Sequence, residues 1–191
     1  MLKNYRKKVL GKRITLKKIE PTIENAKETC ALVEESRALF RKWLPWVDGT
    51  LTVEGFLRFL FDFEKSCKAE KKLGYGIYLK NKLVGRIDMI DIDKKSQSGE
   101  IGYWLSVKVA GKGYMSEALR MLEKEAFERM GFNRIQIQTD TKNKASMRVA
   151  EKCGYKLEGV LRENSFSKYY KNFRDTNMFS KLKSEFEAKD L

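Results

Sequence analysis

Histidine is missing from all 191 residues, and its absence removes a Ser-His-Asp triad, a Cys-His pair, an HExxH zinc helix and a His general base. Proton transfer is left to carboxylates, Tyr, Ser, Lys, Cys or water. Cysteine is scarce: Cys30, Cys67 and Cys153 are odd in number, far apart and set in apolar helical patterns. Neither a disulfide framework nor a CxxC metal site is expected, so the chain reads as a reduced, cytoplasmic, metal-free protein. Both prolines, Pro21 and Pro45, fall in the first quarter, and there is no internal repeat and no Pro/Gly/Ser-rich linker. At roughly 100–200 residues per domain, a single domain over residues 1–191 is expected. No apolar run approaches the roughly 18 residues of a membrane span. The first nineteen residues carry eight basic side chains and no acid, yet no apolar stretch of about 7–15 residues follows them, so neither a membrane nor a signal peptide is implied.

Charge and apolar content are plentiful. Apolar residues make up 42% and aromatics 12%, enough for a core. Lys plus Arg is 40 against 26 Asp plus Glu, a net charge of +14. Such an excess favours an acidic partner, whether polyphosphate, RNA, acidic protein or membrane surface, but an evenly solvated surface gives the same count.

Periodicity orders the elements. Residues 13–19 alternate as a strand with one buried face, after a basic extension over residues 1–12. A helical pattern runs from Thr22 to Leu44, where Pro45 ends it. A second helix starts at Thr52 as N-cap, with Val53, Phe56, Leu57, Leu60, Glu64 and Cys67 on one face. Residues 75–79, 83–92 and 100–107 read as an antiparallel meander. The strongest helix carries Met115, Leu119, Leu122, Ala126 and Met130 and stops at Gly131. A strand at 134–139, a helix from Asn143 or Lys144 to Cys153, and strands at 155–161 and 173–182 complete a mixed α/β sheet with helices on its faces.

Two segments carry chemistry. In residues 100–116 a strand passes through Gly111-Lys112-Gly113 into the long helix, so free backbone N–H groups and a positive helix end can meet an anion, with Lys112 adding charge. Gly-x-Gly alone is also a common turn. It lacks the GxxxxGK[ST] of a P-loop, and Ser116 stands where a dinucleotide fingerprint needs a third glycine. In residues 143–155, Ser146 shares a helix face with Val149, Ala150 and Cys153, which puts a hydroxyl on the inward side. A bond back to the carbonyl four residues earlier would equally satisfy that serine, and Asn143 suits an N-cap.

Taken in this order, the two segments resemble the GNAT N-acetyltransferase superfamily. Gly99-Glu100-Ile101-Gly102-Tyr103-Trp104-Leu105, the N-x-x-S-x-x-V-x-E-K-x-G-Y run and Leu157-Glu158-Gly159-Val160-Leu161-Arg162-Glu163 resemble its RimJ/RimL branch, the ribosomal-protein N-terminal acetyltransferases. Trp43-Leu44-Pro45-Trp46 and Arg174-Asp175-Thr176-Asn177-Met178 extend the likeness over most of the chain. The implied fold is a mixed, mostly antiparallel seven-stranded sheet with helices on both faces and a splayed central strand pair.

The implied activity is direct transfer of acetyl from acetyl-CoA to a primary amine in a ternary complex, with a protein N-terminal α-amine as acceptor and a ribosomal protein as partner. Nucleic acid would be met only through the ribosome, and the branch allows a homodimer. The resemblance assigns the pyrophosphate to Gly111, Lys112, Gly113, Tyr114, Met115 and Ser116, although Ala110 and Met115 depart from the family's loop. It gives the pantetheine arm to a bulged strand at Leu105, Ser106 and Val107, with an N–H of Leu105 or Ser106 at the oxyanion. Glu100 is the candidate base and Ser146 the thiol contact, because Ala150 stands where many members keep a tyrosine; Asn143 holds the cofactor arm or a water. The acceptor groove is expected between the early helices and the last two strands, lined by Trp43 and Trp46 and bordered by Tyr169 and Tyr170. Two other readings stay open. One is a polyamine or aminoglycoside acceptor, which a basic lining disfavours; the other is a non-catalytic RNA or ribosome module using the aromatic, basic loop at residues 162–174.

Overall fold

The computed structural model describes residues 5–49 and 51–187. Two short strands, β1 (Lys8–Leu10) and β2 (Thr15–Lys17), form a hairpin, followed by α1 (Ile23–Glu35), α2 (Arg37–Phe40), a 3-10 turn at Pro45–Asp48 and α3 (Val53–Lys68). The meander follows as β3 (Leu73–Leu79), β4 (Lys82–Asp93) and β5 (Ser98–Leu105). Then come α4 (Tyr114–Lys124) with a π-helical last turn to Met130, β6 (Arg134–Asp140), α5 (Lys144–Cys153), β7 (Lys156–Ser167), β8 (Asn172–Leu182) and α6 (Lys183–Glu187).

The eight strands form one sheet in the order β1-β2-β3-β4-β5-β6-β8-β7, one strand more than the seven expected. The extra one is β1, which lies in the supposed basic extension. Val9 is the buried residue of its three, and it pairs with Leu16. Three of the extension's neighbouring cations are also committed to ion pairs: Arg6 with the buried Glu125, Arg13 with Glu117 at 2.7 Å and Lys18 with Glu64 at 3.0 Å. Part of the positive excess therefore builds the fold. Glu64, the one charged residue on the apolar stripe of α3, is explained by Lys18 and by Lys68 at 3.2 Å.

The long helix expected from Thr22 to Leu44 is broken. Thr22 caps α1 by accepting from the Asn25 N–H at 3.2 Å, and the helix ends at the buried Ser36 before α2 starts afresh. The Ser36 hydroxyl accepts the Val107 N–H at 3.3 Å, which ties this break to the end of β5. Thr52 caps α3 as expected, accepting from Gly55 N–H at 3.0 Å.

Every neighbouring strand pair is antiparallel except β5 and β6. Those two run parallel and stay paired only from Ser98/Arg134 to Glu100/Gln136, after which they splay apart. The register shift beside this region adds a residue to β4, between Ile90 and Asp93, whereas Leu105, at the start of the segment where a bulge is expected, pairs in regular register with Gly85. Alternation along the sheet separates two cores. Ile101, Ile135 and Ile137 pack with Leu119, Leu122 and Ala150 on the α4/α5 face, and Trp104 and Leu83 pack with Val33, Phe40, Phe56 and Leu60 on the α1/α3 face.

Candidate active site

The splay leaves a cleft of about 330 Å³, walled by Leu39, Phe40, Trp43 and Leu44 on one side and by the 110–116 loop and α5 on the other. Gly111 and Gly113 hold φ of +78° and +81°, left-handed values that glycine adopts without strain. Gly113 is the N-cap of α4 and provides no capping side chain. The first-turn N–H groups of Tyr114, Met115 and Ser116 therefore have no intrahelical partner, and the helix end presents them with its positive pole to the cleft. Gly111, Gly113, Tyr114, Met115 and Ser116 all line it. Lys112 does not: its carbonyl accepts from Arg13 Nη1 at 3.0 Å and its side chain is exposed. Arg13, which sequence reasoning missed, also stacks over Tyr114 at 4.8 Å and bonds Glu117 through Nε at 2.7 Å. It staples the β1–β2 hairpin to the loop.

Only one of the three expected pantetheine residues has a backbone free to serve. Ser106 N–H donates to the Val84 carbonyl at 2.8 Å, and the Ser106 carbonyl accepts from Val109 at 3.1 Å. Val107 N–H is taken by Ser36. Ser106 is buried, Val107 is exposed, and neither lines the cleft. Leu105 lines it, and opposite Gly85 it occupies a position whose N–H and C=O face away from β4, toward the gap that β6 has vacated. That N–H can stabilise an oxyanion.

On the far wall Asn143 caps α5, accepting from the Ser146 N–H at 3.2 Å. Ser146 does not bond back along its helix. Its Oγ lies 3.0 Å from the hydroxyl of Tyr103, which also donates to the Ser146 carbonyl at 3.2 Å. Burial pushes the Tyr103 hydroxyl up to about 12, so it stays protonated and keeps a donor. Sequence reasoning quoted Tyr103 within its strand and gave it no role; its partner is 43 residues distant, beyond any local pattern. Cys153 is buried, and desolvation raises its thiol to about 11, which leaves little thiolate to act as nucleophile.

A second cavity, of about 510 Å³, opens on the other face of β5 between α1, α3 and β4. Leu44, Tyr103 and Trp104 line both spaces, so the two meet at the end of β5. This cavity is bounded by β4 and β5, not by the last two strands beside which the acceptor groove is expected. Trp46 lines it, whereas Trp43 lines the first cleft. Tyr169 and Tyr170 line neither. Tyr170 packs on Trp43 with ring centroids 6.3 Å apart, and Arg41 reaches over Tyr169 at 5.9 Å, so this loop closes over the end of α2. Arg174 is buried against Asp140 at 2.9 Å and over Tyr170 at 4.5 Å, which removes it from the supposed RNA platform.

Glu100 lines neither cavity. It stands between Ile90, its partner on β4, and Gln136, its partner on β6, and two residues from Gly102; Ile90 and Gly102 both line the second cavity. Its Oε2 accepts from Gln138 Nε2 at 2.7 Å and from Gln136 Nε2 at 3.2 Å. Two amides hold the carboxylate at the splay, leaving Oε1 uncommitted by them. Among the described residues no cluster suited to a metal ion occurs, and no helix is long and apolar enough to cross a membrane.

A strand that leaves its neighbour, a glycine loop opening a helix and a cavity on each face define an acyl-transfer scaffold. The acetyltransferase (GNAT) domain model matches residues 13–156, and the chain belongs to that family. It is 31% identical over 158 residues to Probable N-acetyltransferase YjcK of Bacillus subtilis, covering 81% of this chain and 86% of that one. It is 27% identical to the ribosomal-protein-serine acetyltransferase of Escherichia coli over 72% and 79% of the two chains. Among solved structures it superposes on the microcin C7 self-immunity acetyltransferase MccE, in complex with acetyl-CoA and AMP, with a TM-score of 0.82 and 28% identity over 90% and 93% of the chains.

Proposed function

We propose that this acetyltransferase carries acetyl from acetyl-CoA to the N-terminal α-amine of a protein, with a ribosomal protein as the acceptor class. The observation that carries the reading is the meeting of two cavities at Leu44, Tyr103 and Trp104. One has a main-chain anion cradle suited to a pyrophosphate, and the other is an aromatic-lined space large enough for one or two residues of a peptide. The ribosomal-protein-serine acetyltransferase among its relatives supports the acceptor class.

The thioester supplies an activated acetyl group. Residues 111 and 113–116 hold the pyrophosphate end, and Leu105 N–H faces the carbonyl oxygen as negative charge develops there. An α-amine with pKa near 7.7–8.0 must lose a proton to attack. Glu100 takes it, through water, since the carboxylate lies at the edge of the floor and lines neither space. As the C–N bond forms and the C–S bond breaks, Ser146 donates to the departing sulfur while Tyr103 turns its single proton from the Ser146 carbonyl to Ser146 Oγ. Transfer is direct, since the buried thiol of Cys153 offers no covalent relay. The test is release of free thiol from acetyl-CoA with ribosomal-protein N-terminal peptides, spermine and kanamycin offered side by side. Turnover of peptides alone supports the reading, and turnover of the polyamine or aminoglycoside alone overturns it.

A further inference from the structure

The floor of the second cavity holds a guanidinium that the reaction does not use. Arg86 is 4% exposed, and among the described residues its side chain makes one hydrogen bond, from Nε to Asp88 Oδ2 at 2.7 Å. Phe63 and Phe59 cover the guanidinium, with ring centroids 4.1 and 5.1 Å from Cζ. Stacking of this kind occupies the faces of the group and leaves its edges open. The terminal nitrogens have no hydrogen-bond partner among the described residues, although a buried guanidinium is costly unless its donors are satisfied. Asp88 does not complete the pair. Its Oδ1 is buried without a hydrogen bond and is turned toward β3, where it lies over Gly74 so closely that a Cβ there would collide with it. Lys72 lines the same space and brings a second positive charge. The cavity thus contains two cations and one carboxylate, and that carboxylate faces away from the open fork.

We propose that Arg86, aided by Lys72, is the anchor for a carboxylate carried by the acceptor, so that the enzyme prefers amines with an acidic group in their first or second residue. The inference rests on the acetyl-transfer reading and names its substrate class. Arg86 stands opposite Trp104 across the β4–β5 ladder, and Trp104 borders the junction where the amine must meet the thioester. The guanidinium, held beside Asp88 and Phe63, and the junction at Trp104 therefore share one wall of the cavity. A guanidinium edge matches a carboxylate in two parallel N–H···O bonds. Phe59 and Phe63 cover the faces of the guanidinium, and a polycation is repelled.

The experiment uses short peptides in matched pairs, Glu against Gln at the first position and, in a second set, at the second. Each is titrated calorimetrically into the enzyme with CoA and assayed separately with acetyl-CoA. The expected result is at least a tenfold preference for Glu in one set, lost in Arg86→Met and reduced several-fold in Lys72→Met. Lys72 is half-buried, so its variant keeps the test valid should Arg86→Met fold poorly. Equal binding of Glu and Gln peptides by the wild type overturns the proposal, as does a preference that survives both substitutions. Arg86-dependent binding of the acidic peptide without turnover of any peptide would keep the anion site and overturn amine acetylation.

Discussion

The two faces of β5 recognise by different means. On the α4/α5 face the cleft is built of main chain: two left-handed glycines, the first turn of a helix and the N–H of Leu105. On the α1/α3 face the cavity is built of side chains, with Trp46, Phe56, Phe59 and Phe63 above and Arg86 and Asp88 below. Main-chain donors are the same whatever side chains flank them, so the first face can tolerate Ala110 and Met115 in its loop. Side-chain recognition has no such tolerance.

The sharpest way to break that contrast is at Gly113. Proline needs φ near −65° where the loop holds +81°, and it removes an N–H, a combination that costs about 3 kcal/mol or more. Gly113→Pro should lower acetyl-CoA affinity at least about a hundredfold by calorimetry while peptide binding to the second cavity persists. Joint loss of both would show that the two faces are one site. Next in size is the wall between them. Ser146→Ala removes a bond to a sulfur gaining negative charge, and bonds to charged groups are worth about 1.5–3 kcal/mol, so kcat should fall by about tenfold to a hundredfold. Tyr103→Phe removes a neutral bond worth about 0.5–1.5 kcal/mol and should lower kcat by about threefold to tenfold with KM for acetyl-CoA unmoved. If Tyr103→Phe equals or exceeds Ser146→Ala, the tyrosine and not the serine faces the sulfur.

How much of this was legible in the sequence follows the same division. The glycine loop and the Asn143 cap could be read because a local run of residues determines a local backbone. The break at Ser36 could not, because its cause is Val107, 71 residues away, whose N–H takes the serine hydroxyl. The three-residue β1 was hidden in a basic run with only Val9 to mark a buried face. Arg86 and Asp88 read as ordinary polar positions of an alternating strand until α3 is laid across them. Trp43 and Trp46, three residues apart, looked like one lining, yet the 3-10 turn starting at Pro45 sends them to different cavities.

That separation yields a smaller, crossed effect. Trp43→Ala should raise KM for acetyl-CoA and leave that for the peptide, and Trp46→Ala should do the reverse. Each shift should be a few-fold, since an aromatic contact adds about 0.5–1.5 kcal/mol beyond its area and Trp46 is already 44% exposed. Equal shifts in both constants for either variant would return the two tryptophans to one lining.

The smallest effect is a control on a region that forms neither cavity. Across β6, β8 and β7, Arg134 holds Glu158 through two hydrogen bonds of 2.6 and 2.7 Å, and Ser180 donates a third at 2.7 Å. The guanidinium, followed by that hydroxyl, lowers the Glu158 carboxyl from its ordinary 4.5 to about 2. Between these values the unfolded chain binds the proton more tightly than the folded one, so the pair's stabilisation is complete above about pH 4.5 and fades as pH falls toward 2. Because Glu158 is 43% exposed, solvent screens the pair and its worth is under about 1 kcal/mol. Glu158→Gln should therefore lower Tm slightly at neutral pH, with the difference from wild type vanishing near pH 2, and should leave both ligand affinities unchanged. If the substitution moved either affinity, the edge strands would be coupled to the site, and acceptor recognition would extend beyond the α1/α3 face.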